Sequence, residues 1–446
     1  MRPAGKALSA RAQGMMQALV FVLVLVAAGH CYGAEGQAVL TLPEGVKIAT
    51  EDNRIVKMAS RERDASYADT LIARSRYLPG VNASLSRTFL AYQPGAIFGA
   101  VSVPTAERNS LSYGVDVQQT LFDFGARSSR YGASETALDA ARLNIGRVRN
   151  LVALDFVIAY FDFLETGRME AVAQKEVERL VSHFNTAQDL YQEGVITKND
   201  LLQAEVRLSD ARQRLLTIQN LKTVNAARIN NILSRPLRAE VRAVDVPAEP
   251  AAEPDMDKAW ELAEKQRIEL KTLDHDLKVL EFEEVAKRSE YFPRVFAEGG
   301  YTYTQNQFQL HEDNWALILG LNMNIFSGGR TKAEIAKIGY RKERLLEQKK
   351  KLVEDIRLDV ERGYFDIKSA RDRIGVTKGA ISQAEENLRI NKVRYQEGIG
   401  TSTDVLDAIT LLTTAETNYY KAEYELRRAR AGYMYAMGFD LVAEYK

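Results

Sequence analysis

The sequence predicts an α+β fold that is mainly α-helical, with an internal two-fold repeat that places short strands ahead of very long helices. Three observations lead to this prediction: long stretches without proline, a repeat at a fixed spacing, and short segments of alternating polarity. Residues 105–235 and 294–446 contain no proline, although average usage would place about 14 there. Because proline breaks helix interiors, these stretches predict long uninterrupted elements.

The two proline-free stretches match each other at an offset of 204 residues. Tyr160-Phe161-Asp162 matches Tyr364-Phe365-Asp366, and Tyr191-Gln192-Glu193-Gly194 matches Tyr395-Gln396-Glu397-Gly398. A register held without a gap over so long a stretch predicts duplication. The repeat and the prolines divide the chain into a signal peptide at 1–34, a first repeat at 35–236, a linker at 237–256 and a second repeat at 257–446.

The first 34 residues have the pattern of a secretory signal peptide. Arg2, Lys6 and Arg11 precede an apolar run over residues 18–28, and small residues follow it. The run is shorter than the roughly 20 apolar residues that cross a bilayer. Cys31, the single cysteine of the sequence, leaves two interpretations open. It is either a lipid attachment site or part of an ordinary cleavage region, and the histidine before it favours cleavage.

Short segments with a period of two indicate strands. Residues 111–118 and 315–325 alternate apolar and polar side chains, and weaker partners precede them at about 81–90 and 295–307. Residues 91–107, which contain glycine and proline, predict a longer loop in the first repeat. Such strands suit a transmembrane β-barrel, and a soluble hairpin packed on helices is the alternative. Because lipid does not tolerate an open sheet edge, a membrane role requires several chains to pool their four strands each.

Helical periodicity begins near Gly329 and continues to Gln396, a rod on the order of 100 Å long at 1.5 Å per residue. Such a rod requires neighbouring rods in a coiled-coil arrangement. Each rod ends at a Glu-Gly pair, and a Thr-x-x-Asp sequence resembling a capping box follows, so the tips are predicted helical hairpins. The prediction also includes return helices that end at about Arg235 and Gly438, and shorter helices near 53–76 and 259–290.

The order of these segments resembles the TolC family of outer-membrane efflux proteins: signal peptide, helix, Tyr-x-Pro, two strands, long helix, Tyr-Gln-Glu-Gly tip and return helix. The tip at 395–408 is the most family-like segment, and 194–204 is its partner. The resemblance implies a passive exit duct for efflux or type I secretion. It also implies a homotrimer whose twelve pooled strands form a barrel in outer-membrane lipid, with the helices forming a periplasmic tunnel. The implied partners are a periplasmic adaptor (membrane fusion) protein and an inner-membrane transporter of RND, ABC or MFS type.

The resemblance also implies roles for residues at the tips. Asp404 and Asp407 correspond to carboxylates that narrow the periplasmic entrance, and Asp200 is the acidic residue of the first tip. The alternative is that Asp404 only caps its helix and Asp407 suits the positive helix N-terminus. Some family members have an arginine near Gly400, which this tip lacks, and Lys198 is the only cation close by in sequence. The predicted adaptor-contacting residues are Gly194, Val195, Ile196, Thr197, Gly398, Ile399, Gly400 and Thr401.

Several function classes find no support in the sequence. With 60 Lys+Arg and 60 Asp+Glu, charge is balanced and gives no support for a nucleic-acid partner. After signal cleavage only His183, His275 and His311 remain. They are far apart in the sequence, so we expect no enzyme activity, cofactor or metal site. A soluble periplasmic coiled-coil adaptor and a hydrolase are the rival classes. The first would need a lipoyl-like segment, and the second a convergent nucleophile and base.

Overall fold

The computed structural model describes residues 39–246 and 255–445, so the predicted signal peptide, Cys31 and the centre of the predicted linker lie outside the described residues. The helices are α1 (Leu42–Asp52), α2 (Arg54–Ser75), α3 (Ala126–Gln192), α4 (Lys198–Ile232), α5 (Met256–Gln266), α6 (Ile268–Arg288), α7 (Arg330–Gln396), α8 (Ser402–Ala436) and α9 (Leu441–Glu444). The strands are β1 (Gly80–Phe89), β2 (Gly95–Phe98), β3 (Val101–Pro104), β4 (Asn109–Phe122), β5 (Arg294–Thr304) and β6 (Asp313–Asn322).

The two long helices have equal length. Helices α3 and α7 span 67 residues each, and their return helices α4 and α8 span 35 residues each. The predicted rod from Gly329 to Gln396 is confirmed, since α7 begins one residue later. Gly125 and Gly329 precede the two long helices with φ angles of +89° and +81°. Glycine adopts this left-handed conformation without strain, which allows the sharp corner between strand and helix.

The helices form two antiparallel hairpins, α3 with α4 and α7 with α8, and α8 also packs against α3. Their buried side chains form separate clusters along the rods rather than one centre. Phe156 and Tyr160 anchor one cluster at mid-height, and Leu208, Ile409 and Leu412 belong to another near the tips. Long rods bury only one stripe each, so their stability depends on neighbours along the whole length.

Four strands form one antiparallel sheet in the order β1-β4-β5-β6, so the predicted strands are confirmed and the central pair joins the two halves of the chain. The predicted loop at residues 91–107 is wrong, because the structure has the β2–β3 hairpin there. Gly99, with φ of +62°, allows its two-residue turn. The glycines and prolines that indicated a loop therefore stand in the turn, at strand ends and beside the hairpin.

Two helical segments differ from the prediction. Helix α1 was not predicted, and Asn53 separates it from α2 by accepting from Ile55 N at 2.8 Å and donating to Ile232 O at 2.8 Å. The predicted helix at 259–290 is interrupted at Arg267, where the backbone is extended. The buried Arg267 guanidinium donates to Ala436 O at 3.3 Å, which fixes this break against the end of α8.

Residues 237–246, the described part of the predicted linker, lie against the helices. Tyr160 Oη donates to Val244 O at 2.6 Å. Asp245 accepts from Arg168 at 2.7 Å, Tyr424 at 2.9 Å and Arg427 at 2.6 Å. These bonds attach the segment to both α3 and α8. Residues 247–254 of the predicted linker lie outside the described residues, so a linker there stays a prediction.

Candidate functional site: the hairpin tips

Both hairpins turn through a glycine. Gly194 and Gly398 have φ angles of +75° and +72°. Val195 N donates to Leu190 O at 2.9 Å, and Ile399 N makes the equivalent bond at 2.9 Å. A left-handed glycine followed by such a bond terminates a helix and satisfies its last carbonyl groups. The Glu-Gly signal in the sequence therefore marks the turn of each tip.

The return helices begin with the two capping boxes that the sequence predicts. Asp200 N donates to Thr197 Oγ1 at 3.3 Å, while Thr197 N donates to Asp200 Oδ2 at 3.1 Å. In the second tip, Asp404 N donates to Thr401 Oγ1 at 3.2 Å, and Thr401 N donates to Asp404 Oδ2 at 3.0 Å. The hydrogen bond from the Thr401 backbone, with the side-chain bond and the charge of Arg394, lowers the pKa of Asp404. The Asp404 carboxylate is therefore ionised at neutral pH.

Asp404 and Asp407 lie on one exposed face of α8, while Val405, Leu406 and Ile409 bury the opposite face. Within the described residues, the Asp407 carboxylate has no hydrogen bond or ion pair. Asp200, at the start of α4, is partly buried, and the capping box occupies its carboxylate. Two of the three predicted entrance carboxylates thus share one surface, where they can attract cations and repel other carboxylates.

A buried contact joins the two hairpins next to their tips. His183 Nε2 of α3 lies 2.9 Å from Ser402 Oγ, and its ring lies 5.1 Å from the ring of Tyr395. Burial, together with the charge of Lys392, lowers the pKa of His183 to about 4. The imidazole is therefore neutral at neutral pH. From the sequence, His183 was a candidate only for catalysis or metal binding, and no signal paired it with a serine 219 residues away.

Arg394 is a further cation at the second tip, and no sequence signal linked it to the entrance carboxylates. Its backbone carbonyl accepts from Ile399 N at 2.9 Å and Gly400 N at 3.0 Å, and its charge acts on Asp404. Lys198 is therefore not the only cation near the entrance carboxylates. The turn at Gly398 brings the last turn of α7 back beside the start of α8, a proximity that sequence distance does not indicate.

Exposed apolar side chains lie both at the tips and on the sheet. At the tips, Val195 is 56% exposed and Ile399 is 71% exposed. On the sheet, Leu85, Trp315 and Leu317 are 75%, 78% and 78% exposed. The register of the paired strands places all three side chains on the same face of the sheet. Apolar patches of this kind indicate contact with lipid or protein.

Within residues 39–246 and 255–445, no helix is both long enough and apolar enough to cross a bilayer. The same ranges contain no group of three or more His, Cys, Asp or Glu side chains placed to hold a metal ion.

Similarity to known proteins covers most of the chain. The family model described as outer membrane efflux protein matches residues 46–235 and 260–438. The alkaline protease secretion protein AprF of Pseudomonas aeruginosa is 23% identical, with 88% of this chain and 83% of that protein aligned. The outer membrane efflux protein BepC of Brucella suis biovar 1 is also 23% identical, over 82% of this chain and 78% of that protein.

Solved structures share the fold. The outer membrane protein VceC of Vibrio cholerae superposes with a TM-score of 0.77 at 15% identity, over 89% of this chain and 96% of that one. The CmeC outer membrane channel of Campylobacter jejuni gives a TM-score of 0.78 at 15% identity, over 89% and 85%. The resemblance stated from the sequence is thereby confirmed, and the family match supports the channel rather than the soluble adaptor. The chain belongs to the outer membrane efflux protein family and is an outer-membrane component of an efflux or type I secretion system.

Proposed function

We propose that three copies of this chain form a passive exit duct, in which twelve pooled strands make a barrel and the helices form a tunnel through the periplasm. The observation that carries this proposal is the four-stranded sheet, whose outer strands β1 and β6 each have one edge without a partner strand among residues 39–246 and 255–445. The exposed apolar face of the same sheet suits lipid. Since an open edge in lipid leaves backbone groups unsatisfied, neighbouring chains must complete the ladder.

The internal duplication supports the same assembly. The equal lengths of α3 and α7, and of α4 and α8, fit a first repeat at 35–236 and a second at 257–446. Three duplicated chains give six similar hairpins around one axis. Six similar hairpins can form a closed tunnel wall with few kinds of interface, because the interfaces between neighbouring hairpins use related surfaces.

The assembly is tested on protein extracted from outer membranes with detergent. Native mass spectrometry is expected to give the mass of three chains, and planar bilayers are expected to show discrete conductance steps. Heating should convert the trimer band on a gel into a monomer band. Fractionation as a monomer free of membrane would contradict the proposal.

At the tunnel end, the carboxylates of Asp404 and Asp407 form the narrow periplasmic entrance, and Asp200 adds a further carboxylate from the first tip. The exposure of the first two on one face of α8 supports this role. Capping does not exclude it, since the Asp404 carboxylate stays charged and exposed while it accepts from Thr401. Carboxylates gathered around one axis attract cations and repel each other.

Asp407 offers the cleaner test of the entrance, because its carboxylate has no structural partner in the described part of the chain. Asp407→Asn should weaken block of the channel by divalent cations added on the periplasmic side of a bilayer. Glu51→Gln, which removes one charge from α1 far along the chain from the tips, is the matched control. Equal block in both variants would remove Asp407 from the entrance.

The tip turns, from Gly194 to Thr197 and from Gly398 to Thr401, contact the periplasmic adaptor, which links the duct to an inner-membrane transporter. The exposed Val195 and Ile399 supply the apolar part of this contact. Val195→Asp with Ile399→Asp should reduce adaptor capture in a pull-down. Ile55→Asp, at a residue 56% exposed on α2, is the control and should leave capture unchanged. Undiminished capture by the double variant would place the adaptor elsewhere.

A further inference from the structure

A strongly basic groove lies where the sheet meets the helices. The groove has a volume of about 610 Å³. It is enclosed by the end of α2, the starts of α3 and α7, the ends of β4 and β6, and the start of β5. Five arginines and two acidic residues line it, which gives a net charge of +3. The charged lining residues are Arg76, Arg127, Arg130, Arg294, Arg330, Asp123 and Glu290.

The groove lies on the polar face of the sheet. Arg294 pairs directly with Asn322 across β5 and β6, and the next pair, Val295 with Leu321, belongs to the exposed apolar face. Successive residues of a strand point to opposite faces. The side chain of Arg294 is therefore on the face opposite to the one that suits lipid, and Gln118 of β4 lines the groove from the same face.

Not all of this charge is available to a ligand. Arg127 is paired with Asp123 at 2.9 Å and donates to Thr120 O at 2.8 Å, so it stabilises the strand-to-helix corner. Glu290 is paired with Lys287 at 2.8 Å.

The other four arginines of the groove make no ion pair or side-chain hydrogen bond within the described residues, and all four are exposed. These four are Arg76, Arg130, Arg294 and Arg330, which we name the arginine collar. The carboxylate of Glu334, near Arg330, forms an ion pair with Lys287 at 2.8 Å.

We propose that the arginine collar is a binding site for small organic or inorganic anions inside the duct, at the passage from the helical tunnel to the barrel. The inference rests on the proposed trimer, in which the polar face of the sheet lines the lumen. Guanidinium groups present donors in a planar fork that fits carboxylate and phosphate oxygens. Three chains would bring three collars around one axis.

The collar and the entrance would have opposite signs. Carboxylates at Asp404 and Asp407 favour cations at the periplasmic end, whereas the collar favours anions at the membrane end. Charges lining a narrow passage of low-dielectric walls concentrate the opposite ion in it. A solute with carboxylate or phosphate groups would therefore dwell at the collar before it enters the barrel.

The test uses the full trimer in planar bilayers, with inorganic pyrophosphate as the probe anion. Wild type should show concentration-dependent block of the current by pyrophosphate. Arg294→Gln with Arg330→Gln should weaken this block about fivefold or more for each arginine removed, as expected for a water-exposed contact between opposite charges. Arg294→Lys with Arg330→Lys keeps the charge and should retain most of the block.

Arg74→Gln is the matched control, since Arg74 lies two residues from Arg76 but lines a different groove with Tyr67 and Tyr131. Trimers that conduct but show equal pyrophosphate block in wild type and the double variant would overturn the collar and leave the duct intact. Loss of binding to phosphatidylglycerol vesicles with unchanged block would also overturn it, by assigning the arginines to lipid headgroups. Absence of any conductance would instead refute the duct itself.

Discussion

Acidification should separate the two hairpins at their tips, because the buried site of His183 favours the neutral imidazole. The side chain is 4% exposed, and burial, with the charge of Lys392, lowers its pKa to about 4. A histidine in water has a pKa near 6.5, so opening the site favours protonation. The stabilising contribution of the buried neutral form is present above pH 6.5 and is lost as pH falls towards 4.

The size of the effect follows from the two pKa values. By pH 4.5 the closed contact should lose about 2–3 kcal/mol relative to pH 7.5, or on the order of 50-fold in the ratio of closed to open tips. The groups beside His183 are Ser402, Tyr395 and Lys392. Burial raises the pKa of Tyr395, so its phenol stays protonated in this range. His183 is the group with a lowered pKa, and its imidazole gains a proton as pH falls.

Spin labels at Gln203 and Thr403 can report the opening, because the side-chain oxygens of these residues lie 3.4 Å apart across the hairpins. Electron paramagnetic resonance should show one short distance at pH 7.5 and a growing population of longer distances by pH 4.5. His183→Gln, carrying the same labels, keeps a polar partner for Ser402 without a titratable ring. If that variant responds to pH as the wild type does, the assignment to His183 is wrong.

Two other substitutions test what holds the helices. Gly398→Ala should lower the free energy of unfolding by about 1–2 kcal/mol and increase proteolysis of the second tip, because φ is +72° there. Gly375→Ala, inside α7, should instead raise the free energy of unfolding by up to about 1 kcal/mol. Equal effects of the two substitutions would refute the turn geometry. Glu416→Ala leaves Arg179, bound at 2.9 and 3.0 Å, without its partner and should cost about 3 kcal/mol in thermal unfolding. Replacing both residues by methionine should recover most of that loss; no recovery would mean that packing, not the uncompensated charge, carries the cost.

Local rules allowed most of the framework to be predicted. Proline-free stretches predict long helices, Glu-Gly ends them, and Thr-x-x-Asp begins the next ones, because each signal acts within one or two turns of the backbone. The bounds of α7 and both capping boxes agree with the structure for this reason. The β2–β3 hairpin was missed because its glycines and prolines are signals that loops and tight hairpins share.

The sequence by itself determined the long helices, their capping boxes and the four strands of the sheet, since these depend on periodicity and on residues close together in the chain. Only the tertiary structure decided which distant residues meet. It placed His183 against Ser402, Arg394 near Asp404, and Arg294 in one groove with Arg330. These meetings depend on how rods and strands pack side by side, and such packing leaves no regular spacing in the sequence.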